Sequence, residues 1–168
     1  MSANHKADDS TLTGEICLFG GTVMMLAFTA RLTTKDVDAL FQPTQTIREL
    51  ARRIATDQHL PLDWLNDGVK GFVSIRHETT AGNLPQFPHL RLTMPVPEYL
   101  LAMKCMAARI GGTADESSDV NDIVFLVRHL ELKSAKEVLD LVGQYYPANR
   151  IPMKTQYLVE GLFEEGRI

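Results

Sequence analysis

Apolar positions along the chain alternate between unbroken runs, period-two alternation and helical spacing, and each change of period marks an element. Residues 16–19 form an apolar run closed by Gly20-Gly21, which predicts a short buried strand. Residues 22–31 carry Val23, Met24, Met25, Leu26 and Phe28 with no breaker, which predicts a helix running off the glycine turn. Acidic and apolar residues alternate over 36–41, predicting a second strand that Pro43 ends. Residues 46–57 read as an amphipathic helix whose stripe is Ile47, Leu50, Ala51 and Ile54, with Arg48, Arg52 and Arg53 mostly off it. Residues 59–71 hold the only tryptophan, Trp64, and the turn signal Asn66-Asp67-Gly68. Beyond them come a short strand at 72–75, a loop at 79–88 and a strand at 89–94 closed by Pro95 and Pro97.

The remaining chain is helical by pattern. One helix covers 98–109, with Pro97 suited to a first turn. Ser117 or Ser118 is placed to cap a second, ending near Leu130. Ser134, with Glu137 three residues on, forms a capping box for a third that ends near Tyr146, and 152–165 make the last. Strands come early and helices late. The expected class is therefore α+β, a small mixed sheet with flanking helices and a helical C-terminal half. The expected division is a flexible N-terminal arm (1–14), a core sheet (15–95) and a helical part (96–168) packed on that core as one compact unit.

With 168 residues the chain can enclose a core without disulfides or a structural metal. Cys17 and Cys105 sit in apolar surroundings with no CxxC spacing, which suits buried free thiols in a reducing compartment. The stretch 16–30 is too short and too interrupted for a membrane span, and acids rather than bases precede it, so a cytoplasmic protein with no membrane partner is expected. Net charge is −4, from 17 Lys+Arg against 21 Asp+Glu. That excludes a general nucleic-acid coat protein, although Lys35, Arg48, Arg52 and Arg53 could form a modest basic patch.

Chemistry concentrates in two early segments. Paired glycines between a strand and a helix allow close backbone approach to a ligand and open the helix start to an anion, in Gly20-Gly21-Thr22. A tight turn alone would also explain them. Asp36 and Asp38, two apart on a strand, share a face and repel each other unless a cation lies between them. Facing water, such a pair needs no cation. Lys104 stands in an otherwise apolar helix, so it either snorkels to solvent or meets a buried anion. On the expectation that it faces the same pocket as Asp36 and Asp38, Lys104→Met should leave the fold intact. Asp119 and Asp122 share a helix face; the helix dipole accounts for Asp119, while Asp122 lies deeper. His129 falls near that face and, as a lone histidine, is read as structural.

Glycine pair, small hydroxyl, a gap of about fifteen residues, then acid-apolar-acid: this combination resembles the polymerase-β-type nucleotidyltransferase superfamily. The stretch RLTTKDVD (31–38) is similar to the Arg, Thr and acidic core of its AbiEii-like and MenT-like toxin branch. The segment PEYLLAMK ending at Lys104, the later Arg109, and Asp119-Val120-Asn121-Asp122-Ile123 resemble that branch's lysine helix and D-x-x-D helix start. The resemblance implies that Gly20, Gly21 and Thr22 hold an NTP's phosphates and that Asp36 and Asp38 hold Mg²⁺ or Mn²⁺. It implies further that Lys104 offsets triphosphate charge and Asp122 orients the acceptor or the lysine. The expected activity is transfer of an NMP to an acceptor hydroxyl, RNA or a tRNA 3′ end, by the toxin of a toxin–antitoxin pair with an antitoxin protein as partner. The wider superfamily carries a third carboxylate on a later strand. The strand matched to it at 89–94 offers only Arg91 and Thr93. Hence the alternative, a catalytically inactive nucleotidyltransferase-like protein that acts by binding another protein. An antibiotic-modifying nucleotidyltransferase is a third possibility.

Overall fold

A computed structural model describes residues 14–111 and 114–168. The class is α+β, with a five-stranded mixed sheet and helices gathered mainly in the C-terminal half. The expected N-terminal arm lies outside the described residues apart from Gly14, which opens the first strand. The chain divides into two compact units: residues 14–71 with Thr79–Met94, and Phe72–Glu78 with Pro95–Ile168.

In the first unit, β1 (Gly14–Leu18) runs into α1 (Gly20–Leu26), then β2 (Val37–Gln42), α2 (Thr44–Gln58), the two-residue β3 (Leu65–Asn66), β4 (Thr79–Thr80) and β5 (Leu90–Pro95). The sheet order is β3-β2-β1-β5-β4. β1 is antiparallel to β2, with Leu18 opposite Ala39, and parallel to β5, with Ile16 opposite Leu92. That register gathers Leu18, Ala39, Phe41, Leu92 and Met94, all buried, on one sheet face. The other face carries Asp38, Cys17 and Thr93.

Two expectations change here. The helix expected to reach residue 31 stops at Leu26, because the chain turns at Thr29, whose φ is +53°. On α2 the buried line is Ile47, Ala51 and Ala55, while Leu50 and Ile54 stand about half exposed. Trp64 ties the following segment to this helix, its indole N–H donating to the Ala51 carbonyl at 3.0 Å.

The second unit is built around α3 (Pro97–Ala107), apolar almost all round and accordingly buried, with Tyr99 through Met103, Cys105 and Met106 inside. α4 (Ala114–His129), α5 (Ala135–Tyr145) and α6 (Met153–Glu164) complete it. α4 starts at Ala114, so positions 117 and 118 lie within the helix and not at its start. Ser134 does cap α5, accepting from Glu137 N, while Glu137 reaches back to Lys133 N, one residue earlier than a standard box.

The segment Phe72–Glu78, expected to include a strand, is instead a strap tied to helices. Ser74 N donates to the Tyr99 hydroxyl at 2.9 Å, and Ser74 Oγ donates to the Tyr145 carbonyl. Tyr146 donates to the Phe72 carbonyl and Tyr145 to Glu78 Oε2 at 2.9 Å. Tyr99 and Tyr145 stack beneath it with ring centroids 5.1 Å apart. A strand cannot form where backbone groups are taken up by side chains in this way. Among the described residues, no helix is long and apolar enough to cross a membrane.

Candidate functional site

The end of β1 and the start of β2 are joined backbone to backbone, Phe19 N donating to the Asp38 carbonyl at 2.8 Å. This places the glycine turn against the acidic segment. Gly20 has φ +59°, and a Cβ built there would sit 2.6 Å from Asp38 Oδ2. Only glycine fits both the left-handed backbone and the carboxylate beside it. Gly21 does not have a positive φ; its constraint is steric, since a Cβ there would lie 2.8 Å from Thr34 Oγ1 and 3.0 Å from an Arg31 guanidinium nitrogen. The cation Arg31 therefore stands beside the glycine turn.

Thr22 is buried. Its hydroxyl donates to the Asp36 carbonyl at 3.3 Å, and Thr34 Oγ1 donates to the same carbonyl at 3.1 Å. Two hydroxyls thus fix the backbone just before β2. Asp36 itself precedes the strand and is exposed, whereas Asp38 is half-buried. Asn66 lies opposite Asp38 across the parallel β2–β3 pair. Its Oδ1 accepts from Gly68 N at 3.1 Å, and its Nδ2 donates to Asp36 Oδ2 at 3.4 Å.

Gly20, Gly21, Thr22, Asp36 and Asp38 are brought together in the first unit, joined by Arg31, Thr34 and Asn66. Sequence reasoning treated Asn66 only as a turn residue; its partner lies thirty positions away, and no local signal marks it. β5, which carries no carboxylate, adjoins β1 and not β2. Its Arg91 pairs with Glu15 at 3.4 Å and its Thr93 lies opposite Cys17. Burial pushes the Cys17 thiol up from its ordinary value, with the Thr93 hydrogen bond opposing.

Lys104 and Asp122 belong to the second unit and find each other there. Lys104 Nζ lies 2.6 Å from Asp122 Oδ2, with the side chains 11% and 3% exposed, so snorkelling is excluded and the buried anion it meets is Asp122, in place of the expected Asp36/Asp38 pair. Arg109 and Asp119 pair beside them at 3.1 Å. Of the expected basic patch, Arg48 is tied to Asp67, which Lys70 also holds; these two cations keep the Asp67 carboxyl below its ordinary range. Arg52 and Arg53 remain exposed. His129 stacks on Phe125 at 6.0 Å.

Among the described residues no cluster of three His, Cys, Asp or Glu side chains assembles. The Asp38 carboxylate lies beside the glycine turn, and Asp36, two residues earlier and just before β2, supplies a second carboxylate in the same segment. That fits Mg²⁺ or Mn²⁺, hard ions commonly held by one or two carboxylates with substrate phosphates and water supplying the rest. Comparison with protein-family models, curated proteins and solved structures finds no match to this chain.

Proposed function

We propose that the first unit binds a nucleoside triphosphate with Mg²⁺ and transfers its NMP moiety to an acceptor hydroxyl: the acceptor oxygen bonds to the α-phosphorus, the α,β-phosphoanhydride bond breaks to release pyrophosphate, and the hydroxyl proton passes to water. The observation that carries this reading is the contact between Gly20 and Asp38: a side-chain-free backbone position pressed against a carboxylate that has an acidic neighbour two residues away. α1, at seven residues, is too short for the helix start to be the anion site by itself. The reading rests on the glycine turn against which the Asp38 carboxylate closes and on Arg31 beside it.

Asp36 and Asp38 would hold the metal, which when bound withdraws charge from the phosphates as the α-phosphorus is attacked. Gly20 and Gly21 let Asp38, Thr34 and Arg31 close against the turn, Thr22 and Thr34 keep the Asp36 backbone in place, and Arg31 would balance negative charge. The resemblance assigns Lys104 to triphosphate charge and Asp122 to orienting that lysine or the acceptor. In the second unit these two residues pair with each other at 2.6 Å, and the phosphate site proposed for the first unit is built without them. RNA, including a tRNA 3′ end, is the acceptor this reading favours, with a toxin role and an antitoxin partner.

The test is incubation with each α-labelled NTP, total RNA and Mg²⁺, for wild type and Asp38→Ala. Label transferred by wild type and lost in the variant supports the reading. Absence of both transfer and any Mn²⁺–NTP thermal shift in wild type overturns it. One observation favours a second reading, a catalytically idle relative that binds a partner protein: the residue across from Asp38 is an amide, Asn66, and not an acid. An Asp38-dependent thermal shift without transfer to any acceptor would select it.

A further inference from the structure

β3 is only two residues long, yet it is the strand that borders the acidic one, and its register sets Asn66 opposite Asp38. The amide has one orientation available. Gly68 N–H is a donor and engages Oδ1, so the opposite end, Nδ2, must be the end that faces Asp36. The hydrogen bond to Asp36 Oδ2 is long, at 3.4 Å, but its direction is fixed from behind by the turn. Asp36 precedes the strand and is exposed, and without a partner its side chain would sample several rotamers.

We infer that Asn66 is a positioning residue of the Asp36/Asp38 site: its Nδ2 engages one oxygen of Asp36, leaving the other directed to a divalent cation. The inference rests on the proposed metal–nucleotide reading. A donor behind a ligating carboxylate fixes the ligand's orientation, and removing such partners typically weakens metal binding about 10–100-fold. A neutral amide also performs this role without adding a third negative charge to the pair when no metal is present.

A purely structural role for Asn66, as the acceptor that shapes the Asn66–Gly68 turn, predicts something different. Asn66→Asp keeps the acceptor for Gly68 N–H and turns the donor toward Asp36 into a repelling oxygen. Asn66→Ala removes both.

The experiment uses the full chain with Mn²⁺ as probe, read by thermal melting and by direct titration. For Asn66→Ala, Mn²⁺ affinity should fall about tenfold. For Asn66→Asp, the metal-free protein should melt below wild type, and saturating Mn²⁺ should raise its melting temperature by more than it raises that of wild type, because the cation relieves the repulsion. If Asn66→Ala binds Mn²⁺ as wild type does, or Asn66→Asp matches wild type both with and without metal, the inference fails. Asp38→Ala separates the two levels. Wild-type binding that disappears in Asp38→Ala but ignores Asn66 overturns the positioning role alone. Wild type that binds no Mn²⁺, alone or with ATP, overturns the reading and the inference together.

Discussion

Lys104 shows how a single neighbour reverses an expectation. Read in its sequence, Lys104→Met should leave the fold intact, since methionine keeps the apolar stem. In the structure the substitution takes the ammonium from Asp122, whose side chain is 3% exposed. Removing one partner of a buried pair typically costs about 3–5 kcal/mol, more than the stem recovers. Urea denaturation should show a loss of that size for Lys104→Met, and Asp122→Leu placed on top should restore most of it. Gly20→Ala is a second residue-scale test. The left-handed backbone penalizes the methyl group by about 1–2 kcal/mol, and the methyl also displaces Asp38 Oδ2. Stability should fall by that amount while any Mn²⁺–ATP thermal shift disappears. A variant that keeps the shift would show that the Asp38 carboxylate does not need its place beside Gly20.

The strap Phe72–Glu78 carries its own pH dependence. Burial holds the His77 imidazole below its ordinary 6.5, with the Tyr99 hydroxyl 3.2 Å from Nδ1. As pH falls through 6.5, the unfolded chain takes up a proton that the folded chain refuses, so stability declines until the lower folded value is passed. Glu78 acts in a more acidic window. Arg76 and the Tyr145 hydroxyl hold its carboxyl below the ordinary value of 4.5, so its contribution is present above that value and is lost as pH drops through the folded one. His77→Gln should therefore flatten the stability profile just below neutrality and leave the more acidic limb in place, as measured by denaturant midpoints across pH.

This element is also where sequence reading ran out. Residues 72–75 look like a strand because Phe72, Val73 and Ile75 are apolar, but Ile75 is fully exposed and the backbone is held by tyrosines far along the chain. β3 went unseen for the opposite reason, having too few residues for a period. By contrast α2, α3, α5 and α6 were legible from periodicity, proline and serine. The Gly20-Gly21 turn and the β2 position of Asp38 were legible from spacing, since a turn and a strand impose their geometry locally, whereas Asp36, expected on the strand, precedes it. Pairs that depend on register, such as Asn66 with Asp36, leave no local trace.

At the scale of the molecule, a net charge of −4 leaves little attraction for RNA. With Arg48 held by Asp67, Arg52 and Arg53 are the exposed α2 cations available for phosphate. If RNA docks there, two neutralized phosphates give a slope of about −1.4 in log affinity against log salt. Fluorescence anisotropy across a KCl series should return that value, and Arg52→Ala with Arg53→Ala should flatten it. A slope steeper than about −3 would place RNA on another surface.

The path of the chain between the two units has a further consequence. It leaves the first unit after Gly71, returns at Thr79 and leaves again after Met94. No single cut yields both units whole. A fragment ending at Met94 keeps the strap but loses Tyr99, Tyr145 and Tyr146, which hold it; one starting at Pro95 keeps the tyrosines and loses what they hold. Fission after Met94 would leave the first unit whole and strip the second of its strap, and fission after Gly71 would keep the second whole and strip the first of Thr79–Met94. The two units cannot be parted intact, and the lysine helix cannot be exchanged with the rest of its unit unless the seven residues Phe72–Glu78, set between two segments of the first unit, travel with it.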